Sequence, residues 1–246
     1  MSLPMLEDGR AVIGDNWLQG RTAYGGASAA LALLSAKAAC ADLPSLRSAQ
    51  IAFVGPLSGE VETMATLLRR GKNSAFIGVD VRGAEGVGLR ALFLFMASRT
   101  STIRHGDLSI TLPSAPEVEV IDGSSIGPGF LQQFEFAKAG DPAIGNWLRW
   151  VRLKDRTDLD PEVELIAIAD ALPPAAMSVA TQWGPISTTT WQLNLVSGAP
   201  ATRDGWWLLG AELLHAADGN SSQNMTIWNR DGAAVATATQ SVALFV

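Results

Sequence analysis

The sequence predicts an α+β chain built from two copies of one unit, each a buried helix against an antiparallel sheet. Three observations predict it. Residues 25–41 are a run of Ala, Leu and Ser that is apolar nearly all round, the pattern of a helix enclosed by protein rather than lying on a surface. Apolar segments of strand length, separated by Gly-containing breaks, follow that helix. The same order of signals then recurs: Asn73 precedes one strand and Gly86 opens the next 13 positions on, while Asn220 and Gly232 stand 12 apart in the same roles.

In the first copy, strands are expected at 49–54, 59–69, 73–82 and 88–97, with turns at Arg70-Gly71-Lys72-Asn73 and Gly83-Ala84-Glu85-Gly86. Residues 98–129 change character, with Pro113, Pro116 and Pro128 among Ser and Gly, and read as a linker with room for one strand. In the second copy, strands are expected at 130–137 and 146–154. A helix follows at 161–172, with Asp160 as its N-cap and Pro161 in its first turn, and Pro173-Pro174 end it. Strands at 188–196, 205–215, 221–229 and 233–245 complete the copy. The expected division is residues 1–100 for the first unit, 101–127 for the linker and 128–246 for the second unit. Joining the two sheets edge to edge, with the helices on one face, removes two strand edges that would otherwise be exposed.

Composition narrows the function. The chain has 246 residues, 48% apolar and 17% charged, a globular balance. A net charge of −6 argues against a nucleic-acid partner. Cys40 is the single cysteine, so neither an internal disulfide nor a CxxC pair can form, and its place in the apolar run suggests a buried thiol. Residues 1–10 carry Glu7 and Asp8 and no leading basic cluster, so no secretory signal is expected. The longest apolar stretch, 27–41, is too short and too polar to span a bilayer. A soluble, cytoplasmic protein is the expectation. His105 and His215 are too few for a metal site, no GxSxG elbow occurs, and Gly25-Gly26 is not a dinucleotide fingerprint.

Several segments resemble one family. Tyr24-Gly25-Gly26-Ala27 opens the long helix, and Arg69-Arg70-Gly71-Lys72-Asn73-Ser74 lies between two strands. In the second half stand 165–174 (LIAIADALPP), 187–195, Asp231-Gly232 and 236–240 (ATATQ). Their order and spacing resemble the acyl-CoA thioesterase II group and its thioesterase-like relatives. The resemblance implies a double hotdog, two tandem units that each wrap an antiparallel sheet around a central helix. It also implies hydrolysis of an acyl-CoA to free acid and CoA without a cofactor or metal, and further association into a homo-oligomer. The family's water-activating Asp, Thr and Gln fall on Asp170, Thr188 and Gln240, with Thr189 and Thr190 as neighbours one or two positions away. The chain departs from the family near Thr190, where many relatives carry an acidic residue.

The residue types suit that chemistry. Thioester hydrolysis needs a water made nucleophilic and donors ready for the oxyanion. Asp170 can accept the water's proton, Gln240 and a Thr hydroxyl can hold the water, and a backbone N–H at Gly25 or Gly26 can face the carbonyl. Arg69, Arg70 and Lys72, the densest basic cluster, can meet CoA phosphates. Each has a plainer reading: a helix-end carboxylate bonded to loop amides, a strand amide paired across the sheet, a strand threonine there for packing, a solvated turn. Two other functions fit the same scaffold: a non-catalytic acyl-CoA or acyl binding protein, and a hydratase, which the lack of an Asp/His pair disfavours.

Overall fold

The chain, seen here as a computed structural model, is described over residues 3–103, 105–112, 116, 119–141, 143–182, 184–196 and 198–245; Pro113 of the linker lies outside them. The elements run β1 (Arg10–Ile13), β2 (Leu18–Gln19), β3 (Thr22–Ala23), α1 (Gly25–Ala38), β4 (Leu46–Phe53), β5 (Gly59–Arg70), β6 (Ser74–Gly83) and β7 (Gly86–Met96). After the proline-bearing stretch come β8 (Val120–Asp122), β9 (Phe134–Lys138), β10 (Asn146–Leu153), α2 (Pro161–Ala169), β11 (Ile186–Leu195), β12 (Trp207–Ala217), β13 (Asn220–Trp228) and β14 (Ala234–Leu244). Among the described residues no helix is long and apolar enough to cross a membrane.

Twelve strands form one sheet in the order β1-β5-β6-β7-β4-β11-β14-β13-β12-β10-β9-β8, and β2 and β3 pair separately. The pairings are antiparallel throughout. The two halves meet at β4 and β11, where Ile51 opposes Trp191 and Gln50 opposes Gln192. One row of directly opposed residues crosses this seam: Val79, Ala91, Ile51, Trp191, Gln240 and Gln223. Opposed residues share a face, and all six are buried. An apolar row in the first half therefore becomes polar in the second, and both of its glutamines must find partners inside.

The helices pack against each other, with α1 over β5–β7 and α2 over β10. They run antiparallel. Gly26 of α1 lies against Ala167 near the end of α2, while Lys37 near the end of α1 pairs with Asp160 and Glu162 at the start of α2, at 2.6 and 2.8 Å. Helix α1 is buried around its circumference, Ala27, Ala29, Ala32 and Leu33 being fully enclosed.

Several boundaries depart from the sequence-based ones. Helix α1 stops at Ala38 rather than 41, and Asp42 turns the chain with a φ of 52°. Cys40 consequently sits past the helix end, partly exposed rather than buried. Residues 129–133 form a 3-10 turn before β9 instead of a strand, because Phe130 stacks on Tyr24 with ring centroids 4.3 Å apart. Helix α2 ends at Ala169, three residues early, and Asp170 becomes its C-cap. The prolines at 173 and 174 disfavour helix just before them. Strands β1, β2 and β3 carry no strong pattern in the sequence and were not expected.

Candidate active site

Asp170 owes its position to both ends of α2. At the start, the Asp160 side chain accepts the N–H groups of Glu162 and Val163 at 2.9 and 3.2 Å and fixes where the helix begins. Two and a half turns later the chain leaves the helix at Asp170. That point faces the first turn of α1, whose N-cap residue Tyr24 supplies no side-chain cap. The amide of Gly26 donates to the Asp170 carboxylate instead, as the partial positive charge of a helix N-terminus favours.

The glycines make this approach possible. A Cβ on Gly25 would lie 2.4 Å from Asp170 Oδ2, and one on Gly26 would lie 2.4 Å from the Ala167 carbonyl oxygen and 2.6 Å from the Tyr24 ring. Tyr24, the only tyrosine in the chain, folds over Gly26, and its hydroxyl donates to the Ala167 carbonyl at 2.7 Å. It ties the start of α1 to the end of α2. Burial, then the charge of Asp170, hold its phenol well above the usual range, so it stays a neutral donor.

A chain of amides reaches Asp170 from the sheet. The backbone N–H of Ala175 donates to Gln223 Oε1 at 2.6 Å. Gln223 Nε2 donates to Gln240 Oε1 at 2.7 Å, and Gln240 Nε2 donates to Asp170 Oδ1 at 2.6 Å. Both glutamines are almost fully buried, at 2% and 4% exposure.

Burial pushes the Asp170 carboxyl up to about 7, against the lowering effects of the Gln240 and Gly26 hydrogen bonds. Among the described residues Asp170 makes no ion pair, so no cation restores its acidity. Such a group divides between carboxylate and acid near neutral pH, which is the condition for moving a proton in either direction.

The structure thus brings Asp170, Gln240, Gly25 and Gly26 together, and adds Gln223 and Tyr24, which sequence reasoning missed. Gln223 had a signal: β13 and β14 form a hairpin about Asp231-Gly232, and Gln223 lies directly across from Gln240. Gly26 differs from expectation in one respect, because its amide serves the carboxylate rather than facing a substrate carbonyl.

Of the three threonines, Thr188 opposes Val242 and so shares the inner face of Gln240, two pairs further along. Its hydroxyl makes no hydrogen bond among the described residues. A bulge between Thr188 and Thr190 turns the others away: Thr189 donates to the Ser241 carbonyl at 3.0 Å, and Thr190 opposes Ser241 on the outer face.

Arg69, Arg70 and Lys72 are not brought to this site. They are exposed at the β5–β6 turn, where Arg70 donates to the Asp42 carbonyl at 2.8 Å, beyond the far end of α1. The 14 residues of α1 separate that end from Gly25 by roughly 20 Å. A groove of about 940 Å³ crosses the sheet past Thr66, Asp80, Arg90, Thr190 and Thr239; Trp191, Gln223 and Gln240 also line it, and Asp170 does not.

The class that emerges is a hotdog-fold protein with a partly buried, amide-held carboxylate at the junction of two helices. Solved structures agree on the fold. A protein of unknown function with a hotdog fold from Alicyclobacillus acidocaldarius is 18% identical with a TM-score of 0.83, covering 98% of this chain and 95% of that one. An acyl-CoA thioesterase II, TesB2, from Mycobacterium marinum is 17% identical with a TM-score of 0.75, covering 98% and 95%. The TesB protein of Mycobacterium avium subspecies paratuberculosis is 18% identical with a TM-score of 0.78, covering 97% and 94%. No curated protein sequence matches the chain.

The chain belongs to the acyl-CoA thioesterase family. Residues 13–96 match its N-terminal domain and residues 110–244 its C-terminal domain.

Proposed function

We infer that the protein is a double-hotdog acyl-CoA thioesterase that hydrolyses an acyl-CoA to free acid and CoA, with its site in the second unit. The units are residues 1–100 and 128–246, joined by 101–127. The observation that carries the reading is the Asp170–Gln240 pair: a carboxylate raised toward neutrality and held by an amide whose direction is fixed.

Asp170 is the general base. It takes a proton from a water whose oxygen attacks the thioester carbonyl carbon. The Gln240 amide has a second N–H, which donates to that water, and the Thr188 hydroxyl, without a hydrogen bond among the described residues, accepts a hydrogen bond from the water's other O–H. The tetrahedral intermediate then collapses, the C–S bond breaks, and Asp170 returns the proton to the departing thiolate. Water and thioester become carboxylic acid and thiol, and Asp170 ends as it began. Gly25 and Gly26 let α1 close on the carboxylate, and the amide of Gly26 orients it.

The test is thiol release from short, medium and long acyl-CoAs, comparing wild type with Asp170→Asn. Turnover by the wild type that falls by orders of magnitude in a folded variant supports both reaction and site. Tight acyl-CoA binding with no turnover by wild type points instead to a binding protein on this scaffold.

A further inference from the structure

The reaction needs a donor for the carbonyl oxygen, and of the two amides expected to supply it, at Gly25 and Gly26, the second is bonded to Asp170. One donor on the same face has no partner. Trp191 is 1% exposed, and its indole Nε1 is buried without a hydrogen-bond partner among the described residues. A buried N–H left unpaired is rare in folded proteins. An indole can only donate, so it requires an acceptor.

The surroundings do not provide one. Trp191 lies on β11 directly opposite Gln240 on β14 and opposite Ile51 on β4. Ile51 is apolar. The Gln240 side-chain oxygen accepts from Gln223 and makes no hydrogen bond with the indole, and its nitrogen is itself a donor. The other inner-face members of the row on the first-half side, Ala91 and Val79, are apolar as well. Directly opposed residues carry their Cβ atoms about 5 Å apart, so the indole stands beside the amide that holds the catalytic carboxylate.

We propose that the Trp191 indole N–H is the donor that receives the thioester carbonyl oxygen of an acyl-CoA and holds the oxyanion formed from it. The inference rests on the reading of Asp170 as the base. As the water oxygen bonds to the carbonyl carbon, the water's proton passes to Asp170 and the π pair moves onto the oxygen facing Trp191. When that pair re-forms the double bond, the C–S bond breaks with its electrons on sulfur, and Asp170 protonates the thiolate. The carbonyl oxygen offers acceptors only, and it becomes more basic as the intermediate forms. An otherwise unpaired donor therefore gains most in the transition state.

Two replacements test this: Trp191→Phe, and 3-benzothienylalanine at position 191, which keeps the bicyclic shape but has sulfur where the indole has N–H. The expected result is a kcat lower by about 10- to 1000-fold in both, with KM changed little and the thermal midpoint of the benzothienyl protein held. In 15N-labelled protein, the indole resonance absent from Trp191→Phe should move when a non-hydrolysable 2-oxoalkyl-CoA is added, and stay still with an alkyl-CoA that lacks the carbonyl. A kcat within twofold of wild type in both replacements, while Asp170→Asn still abolishes turnover, overturns the role of Trp191 and leaves the Asp170 site standing. If wild type hydrolyses no acyl-CoA, the underlying reading falls. The resonance then decides the carbonyl contact alone: movement with the ketone only supports it, and no movement overturns it.

Discussion

Gln240 Nε2 lies 2.6 Å from Asp170 Oδ1, and the direction of that amide is set by a backbone group two links away. The N–H of Ala175 can only donate, so the oxygen of Gln223 must face it. The nitrogen of Gln223 then faces the oxygen of Gln240, which leaves the Gln240 nitrogen toward the carboxylate. Neither side chain can reverse without placing like groups together, so Asp170 always meets a donor on that side.

Activity should therefore rise with pH through a limb near 7, the value to which burial raises Asp170. The Gln240 hydrogen bond favours the carboxylate and holds that value down. Replacing Gln240 with Leu removes the donor, so the limb should move to higher pH while kcat falls by about 100-fold. Profiles of kcat/KM against pH for the two proteins check this; an unmoved limb contradicts the link between Gln240 and Asp170.

Gln223 touches neither Asp170 nor the proposed substrate position, yet its replacement should reach both. Gln223→Glu is nearly isosteric. One of its oxygens can still accept from Ala175, but the other then meets the oxygen of Gln240. The relieved arrangement turns Gln240 over, so that its oxygen faces Asp170 and disfavours the carboxylate. Gln223→Leu leaves the Gln240 oxygen and the Ala175 N–H unpaired but does not turn Gln240 over. The Glu variant should lose more kcat than the Leu variant and show the more alkaline limb. Equal losses with unmoved limbs would reduce Gln223 to a packing role.

The adjacent glycines should separate activity from stability. A Cβ at Gly25 meets the Asp170 carboxylate at 2.4 Å and the Phe53 ring at 3.1 Å, both side chains. A Cβ at Gly26 meets the Ala167 carbonyl oxygen, which is backbone and cannot swing aside. Gly25→Ala should cost activity more than stability. Gly26→Ala should push the helices apart and cost about 1–3 kcal/mol of stability. Thermal unfolding beside acyl-CoA hydrolysis gives the comparison.

What the sequence showed depended on how local the signal was. The all-apolar run of α1, the N-cap at Asp160 and the proline stop after α2 are written within a few residues, and Asp170 stands out as a carboxylate among apolar neighbours. Tyr24 was legible only as part of a motif, because its partner Ala167 lies 143 positions away. The three threonines were undecidable: a bulge between Thr188 and Thr190 sets which one faces inward, and bulges arise from pairing between strands. An amide at Gly25 or Gly26 was expected to face a substrate because nothing in that segment shows that α2 ends against it. The basic cluster at Arg69, Arg70 and Lys72 shares the motif order but not the location, since the length of α1 separates it from Asp170.

Asp170 should also leave a mark on stability, with a sign opposite to that of most carboxylates. Its folded value, about 7, exceeds its unfolded value of 3.8 because burial disfavours the charge. Between those values the folded state keeps a proton that the unfolded chain releases. Stability therefore declines as pH rises through that window; below it the group contributes no slope, and above about 7 the full cost is present. Three units correspond to about 4 kcal/mol, an upper bound because Asp170 retains some solvent contact. Asp80, held low by the hydrogen bond from Arg90 and by its charge, acts in the other direction: its contribution is present above its unfolded value and is lost as pH falls. Together they place maximum stability in mildly acidic solution. Urea unfolding at about pH 5 and about pH 8 should show wild type more stable at the lower pH. Asp170→Asn, which has no charge to bury, should lose most of that difference even if its absolute stability changes. The same pH dependence in the variant would mean that the carboxylate is better solvated than its packing against Gly25, Gly26 and Gln240 implies.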